Sequence, residues 1–137
     1  MDRRLGSAYS ERVLSDAMVH PTIMVSDMAR ARAFYEGQLG LKVLREAGPY
    51  VFLRAGTGQL ALVARAAVTP GATTLCAFEV QNLRATVTGL RARGVVFEEY
   101  DLPTLRTVDG IAQSGPFHAA WMRDPDGNYL GIHDSAR

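Results

Sequence analysis

The sequence predicts an α+β fold: two βαβββ modules joined into one curved, eight-stranded mixed sheet, with helices on its convex face. Three observations lead there. The order strand, helix, three strands occurs twice along the chain. Val25-Ser26-Asp27-Met28 returns as Val80-Gln81-Asn82-Leu83, 55 positions later, and Gly40 returns as Gly94. A chain of 137 residues suits one domain, yet a half with one helix and four strands cannot bury a sheet face alone. The two halves, about 18–66 and 74–134, are therefore expected to complete each other in a single domain spanning 18–137.

Residues 1–17 are polar and lack a strong period. They read as an extension, partly disordered or holding a short helix that starts near Tyr9 and ends at Ser15 to Ala17. Met18–Val25 is β-prone, and Pro21 suits an edge or a strand start. Ser26-Asp27 offers a helix N-cap. Ala31, Phe34, Tyr35, Gln38 and Leu39 then fall on one helical face, and Gly40 stands where a C′ glycine ends a helix. Leu41–Glu46, Tyr50–Ala55 and Gln59–Ala64 follow as strands, parted by the turns Gly48-Pro49 and Gly56-Thr57-Gly58. In the second module Leu75–Val80 is a strand and Gln81-Asn82 a cap. Leu83, Val87 and Leu90 form a buried stripe, and Gly94 is the stop. Val95–Tyr100, Phe117–Arg123 and Asn128–His133 complete the set. Asp124-Pro125-Asp126-Gly127-Asn128 reads as a tight turn, with proline presetting one φ and glycine supplying a positive one. Pro103 to Pro116 reads as a long loop, either an ordinary surface loop or a lid whose Arg106, Asp109 and Gln113 close over a ligand.

Composition narrows the function. Fifteen Lys and Arg against fourteen Asp and Glu leave a formal charge of +1, which provides no electrostatic case for nucleic acid or an anionic membrane. No apolar run approaches the roughly 20 residues of a membrane span, and the N-terminus lacks the apolar stretch of a secretory signal. One cysteine, Cys76, makes neither an internal disulfide nor a multi-cysteine zinc site. A cytoplasmic location is expected.

The residues His20–Asp27, Met28-Ala29-Arg30-Ala31-Arg32-Ala33-Phe34-Tyr35, Leu39-Gly40-Leu41 and Arg123-Asp124-Pro125-Asp126-Gly127-Asn128 resemble the vicinal oxygen chelate superfamily. That group includes glyoxalase I, bleomycin-resistance proteins, fosfomycin-resistance enzymes and extradiol dioxygenases. The likeness runs from Met18 to Asp134. It implies a cup-shaped ligand site and, in many members, a divalent metal held by one residue from each of four strands. On that implied pattern the first ligand position holds His20. The other three hold Leu75, Ala61 and Gly131, none of which coordinates a metal. One imidazole does not hold Zn²⁺, Mn²⁺ or Fe²⁺ against water, so no metal and no cofactor are expected. A rebuilt site from His20, Glu79 and His133 is the alternative.

Strand alternation assigns the cup's lining. Val51, Leu53 and Ala55 suit a helix-covered face, which turns Tyr50, Phe52 and Arg54 toward the cup. Gln59, Ala61 and Val63 join them. Leu75, Ala77 and Glu79, then Phe117, Ala119 and Trp121, then Tyr129, Gly131 and His133 line the second half. The expected ligand-binding residues are His20, Phe52, Arg54, Gln59, Phe117, Trp121 and His133: flat apolar surfaces with sparse polar handles, as small-molecule sites have. The same rings also suit a closed core. His118 falls on the opposite face, beside a helix, and Cys76 reads as an inert buried thiol.

The expected function is metal-free binding of a flat organic molecule. The resemblance implies sequestration of an antibiotic or other natural product, and a homodimer, with the cup built within one chain or shared between two. The alternatives are an isomerase, lyase or cyclase with His20 or His133 as general base and Arg54 facing developing negative charge, a metal-dependent glyoxalase or dioxygenase, or an interaction module with a filled cup.

Overall fold

Alternating aliphatic residues build each sheet, and two capped helices cover one face of each. The computed structural model describes residues 13–134. The first sheet contains β1 (Thr22–Val25), β2 (Lys42–Ala47), β3 (Tyr50–Ala55) and β4 (Gly58–Ala64), in the order β1-β4-β3-β2. The second contains β5 (Thr74–Glu79), β6 (Asp101–Leu102), β7 (Leu105–Val108), β8 (Ile111–Ser114), β9 (Phe117–Arg123) and β10 (Tyr129–Asp134), in the order β5-β10-β9-β8-β7-β6. The pairs β1 with β4 and β5 with β10 are parallel and the rest antiparallel, so both sheets are mixed as expected.

The expected single eight-stranded sheet is replaced by these two. The strands that would join them, β1 and β5, each end a sheet without pairing. Three observations account for the free edge of β1. Pro21 has no N–H to donate. The Met24 carbonyl accepts from Asn128 Nδ2 at 3.1 Å. Just beyond the strand, the Ser26 N–H and Oγ–H donate to Asp126 at 3.0 and 2.5 Å. The edge is thus occupied by side chains of the β9–β10 turn. Pro21 also shortens β1, which begins at Thr22 rather than Met18.

The first helix opens as α1 (Met28–Arg32), where Asp27 accepts from the Arg30 N–H as N-cap at 3.1 Å. It continues as a π-helical stretch, Ala33–Gln38, whose wider turn brings the Leu39 N–H to the Phe34 carbonyl at 2.9 Å. The second helix, α2 (Leu83–Ala92), is capped by Asn82, which accepts from the Ala85 N–H at 3.0 Å. Gly40 and Gly94 follow the two helices with φ of +79° and +92°, the left-handed region that favours glycine.

α1 packs on β4, and α2 packs on β9 and β10. Their apolar faces meet in one core shared by both modules. Ile23, Val25, Leu53 and Leu62 come from the first sheet, Tyr35 from the π-helical stretch, Leu83 and Val87 from α2, and Met122, Leu130 and Ile132 from the second sheet. Each fully buried side chain of this size contributes about 1.5–3 kcal/mol. The helix-covered faces of both modules thus look inward, and the opposite faces look outward.

Two further expectations change. Val95–Tyr100 pairs at a single bridge, Phe97 with Met122, because β8 takes the edge of β9 at Ala112–Ala119 and Ser114–Phe117. The expected loop Pro103 to Pro116 is a β-hairpin, β7–β8, closed by Asp109-Gly110 with φ of +53° and +78°. Of the expected extension, residues 1–12 lie outside the described residues, including the helix start near Tyr9. An exposed turn at 13–17 brings the Ala17 N–H to the Leu14 carbonyl at 3.0 Å.

Candidate functional site

Register places a coherent set of side chains on the outward face of the first sheet. Phe52 pairs with Ala61 on one side and Arg45 on the other, Arg54 with Gln59 and Lys42, and Ala61 with Thr22. Residues directly opposite share a face, so Lys42, Arg45, Tyr50, Phe52, Arg54 and Gln59 stand together. Rings organise the centre. His20 meets Phe52 edge-on at 5.8 Å and 82°, Tyr50 stacks beside Phe52 at 6.0 Å and 20°, and the Arg45 guanidinium lies 3.9 Å from the Phe52 ring centroid. Cation–π contacts of this kind contribute about 0.5–2 kcal/mol. His20 Nδ1 lies 3.1 Å from the Pro21 carbonyl oxygen. The Val51 and Leu53 faces are buried in the core.

The outward face of the second sheet carries the other expected residues. Trp121 pairs with Gly131 and Ala119 with His133. Trp121 lies across the glycine: a Cβ at Gly131 would meet Trp121 Nε1 at 3.5 Å and Thr74 Cγ2 at 3.4 Å. Tyr100 meets Trp121 edge-on at 5.7 Å and 81°. The Arg123 guanidinium lies 5.4 Å from the Tyr129 ring and 3.3 Å from Glu98. Burial raises the Tyr100 hydroxyl above its ordinary pKa, with the Glu98 charge adding to it. Phe117 is 55% exposed at the end of this face.

The structure therefore forms two clusters rather than one cup within the chain: His20 with Phe52, and Trp121 with Gly131. Arg54 and Gln59 instead reach a cleft of about 670 Å³ beside the unpaired edge of β5. Lys42 and the Gly56-Thr57-Gly58 turn line one wall, and Cys76, Phe78 and Glu79 line the other. Gln59 Nε2 also donates to Met18 Sδ at 3.0 Å. The expected lid residues turn elsewhere. Arg106 pairs with Asp101 at 3.5 Å, the Asp109 carbonyl accepts from Arg91, and Gln113 donates to the Gly115 carbonyl.

Arg45 and Tyr100 were not legible as site residues. Plain alternation along 41–46 sets Arg45 and Lys42 on opposite faces, but a bulge between Val43 and Arg45 returns both to one face. Tyr100 lies in the irregular run before β6.

The residues do not suit a divalent metal. Ala61 is buried beside Phe52, Gly131 lies under Trp121, and Leu75 is an exposed aliphatic. Among the described residues no group of three or more His, Cys, Asp or Glu is placed to hold an ion, so His20, Glu79 and His133 do not assemble. Burial pushes the Cys76 thiol up to about 11, with the Asp124 charge adding to it, which keeps it protonated and unreactive. His118 lies on the helix-covered face as expected, its Nδ1 2.9 Å from Asp134 Oδ1. Asp134 also accepts from the Leu83 N–H at 2.8 Å. First the Leu83 bond and then His118 hold its carboxyl below the usual range.

A family model described as the Glyoxalase/Bleomycin resistance protein/Dioxygenase superfamily matches residues 17–132. Solved structures with the same fold include a bleomycin-binding protein complexed with bleomycin, at 21% identity and a TM-score of 0.66, covering 86% of this chain and 98% of that one. A lactoylglutathione lyase from Agrobacterium tumefaciens is 22% identical with a TM-score of 0.63, covering 87% and 93%. A glyoxalase family protein from Enterococcus faecalis is 21% identical with a TM-score of 0.64, covering 87% and 98%. No curated protein matches the sequence. At these identities the likeness is one of fold.

Proposed function

The chain belongs to the Glyoxalase/Bleomycin resistance protein/Dioxygenase superfamily, and from that membership we propose that it binds a flat organic molecule without a metal, as a homodimer. The observation that carries this reading is the pair of outward faces. Each sheet turns an aromatic surface away from the shared core, and each of the three remaining metal positions of the family is held by a residue with no donor atom. A structural neighbour that holds bleomycin shows that this fold serves ligand binding. His20 and His133 have no carboxylate partner among the described residues, so neither is set up as an oriented general base. Binding is therefore favoured over catalysis.

The homodimer follows from complementarity. The first face carries cations with no carboxylate partner among the described residues, while the second carries Glu79 and exposed apolar side chains. Leu75 and Phe117 on the second face are 43% and 55% exposed, Met24 on the first is 49% exposed, and β1 and β5 each end a sheet. A two-fold pairing sets the first face of one copy against the second face of its partner, twice, and closes the assembly. His20, Phe52, Arg54 and Gln59 then meet Phe117, Trp121 and His133 of the other copy in a shared cup. The single cysteine, kept as a thiol, suits the reducing cytoplasm. No helix among the described residues is long and apolar enough to cross a membrane.

Trp121 is the one tryptophan in the chain, so its emission reports the cup. A panel of aromatic natural products titrated into the protein is expected to shift that emission saturably. A panel that leaves it unchanged contradicts the binding reading. Stoichiometric divalent metal in protein purified without chelator contradicts its metal-free part.

A further inference from the structure

We propose that the outward face of the first sheet selects an anionic ligand: a planar aromatic molecule carrying one acidic group, such as an aromatic carboxylate. This rests on the reading of that face as a ligand surface and specifies the ligand's charge.

The charges on this face are all of one sign. Lys42 pairs directly with Arg54, and Arg45 with Phe52. The acid of β2, Glu46, pairs with buried Val51, which places it on the other face, where it meets Arg32. Lys42, Arg45 and Arg54 are exposed, and among the described residues none has a carboxylate partner. Arg30, Arg32, Arg106 and Arg123 each have one. Like charges set directly across a strand pair destabilise it. The Lys42–Arg54 pair accepts that cost without a protein counter-ion, and a bound anion removes it.

The surroundings define the rest of the ligand. Lys42, Arg54 and Gln59 line the same wall of the cleft, so an acid held there receives an ammonium, a guanidinium fork and an amide N–H. The cleft, at about 670 Å³, lies within the size range of small-molecule sites. Next to it Arg45 covers Phe52 at 3.9 Å. A guanidinium stacks on aromatic planes as readily as it pairs with acids, so a flat ring finds a layered cation–aromatic surface one residue pair away. Glu79 on the facing wall disfavours a second acidic group and accepts an N–H or O–H from the far side of the ligand.

Three probes of one shape test the charge: naphthalene-2-carboxylate, 2-naphthamide and 2-naphthylmethylammonium. Each is titrated into the isotope-labelled full chain while the backbone amides of Phe52, Arg54 and Ala61 are followed by NMR. The carboxylate is expected to bind about tenfold or more tighter than the amide, as charge-assisted hydrogen bonds imply, with the ammonium weakest. K42Q and R54Q, both exposed substitutions, are expected to cut that advantage to about threefold or less, because the carboxylate loses a charge-assisted contact and the amide only a neutral one. A well-dispersed spectrum confirms that each variant folds. If amide and carboxylate bind this face equally, or if the advantage survives in both variants, the charge assignment is overturned and the aromatic ligand surface stands. If none of the three moves these resonances at millimolar concentration, both are overturned.

Discussion

Asp124 is 4% exposed and has no cation partner among the described residues, yet it is fully satisfied. It accepts from the Tyr35 hydroxyl at 2.7 Å, from Asn128 Nδ2 at 2.9 Å, and from the backbone N–H groups of Asp126 and Asn128 at 2.9 Å each. Hydrogen bonds to a charged group are worth about 1.5–3 kcal/mol, so Tyr35→Phe is expected to lower stability by that amount in urea unfolding. A loss under about 0.5 kcal/mol would mean that the carboxylate finds another donor. Burial, and then the Asp124 charge, raise the Tyr35 hydroxyl well above its ordinary range, so it stays a donor at any working pH. Asp134 acts in the other direction. Its folded pKa is depressed, so its contribution is complete above the ordinary carboxylate range and fades as pH falls through the folded value. Asp134→Asn should therefore destabilise at pH 6, with the gap narrowing as pH falls below the ordinary carboxylate range. A gap that stays constant over that range would assign the loss to packing. The motif Asp124-Pro125-Asp126-Gly127-Asn128 was readable as a turn. Its reach to Tyr35, Met24 and Ser26 was not, because those partners depend on how the two modules meet.

Local signals are legible where one residue decides the outcome. Asp27 and Asn82 are N-caps at the expected positions, and Asn82→Ala should cost about 1 kcal/mol, read from the urea midpoint. Where one extra residue shifts a register, alternation misleads: the β2 bulge moves Arg45, whereas the helical face of Ala31, Phe34, Tyr35 and Leu39 packs on the core as expected even though a π-helical stretch follows Arg32. The β7–β8 hairpin is a different case. Asp109-Gly110 is a strong two-residue turn signal, but the strands beside it are four residues each, too short to stand out from a loop by alternation. Gly110 also meets Arg91 Nη2 at 2.7 Å and Phe97 Cβ at 3.1 Å where a Cβ would stand, whereas Gly115, also at positive φ, faces open space. Gly110→Ala is expected to destabilise more than Gly115→Ala. Equal losses would mean that backbone strain alone decides both.

At the scale of the molecule, both modules feed one core, so unfolding should be a single cooperative transition. Trp121 emission, which reports the second module, should follow the same curve as far-UV circular dichroism. Two separated curves would mean that the modules unfold independently. Phe117 is the most exposed ring described on the outward faces, so on the proposed homodimer Phe117→Glu is expected to halve the mass in sedimentation while the far-UV circular dichroism spectrum stays that of the folded chain. An unchanged mass would count against the proposed pairing through this face. The repeat of elements foretold the shared core. It did not foretell two sheets, because the rule that edge strands pair was overridden by side chains that occupy the β1 edge. Those same contacts bear on how the chain is made. Tyr35, Ser26 and Met24 wait for partners 89, 100 and 104 residues further along. At about 5–20 residues per second on a ribosome, these residues of the first module emerge about 5–20 seconds before their partners exist. During that interval only the first helix covers its core face, so a chain stalled before Asp124 should be held by chaperones, while one released at full length folds unaided.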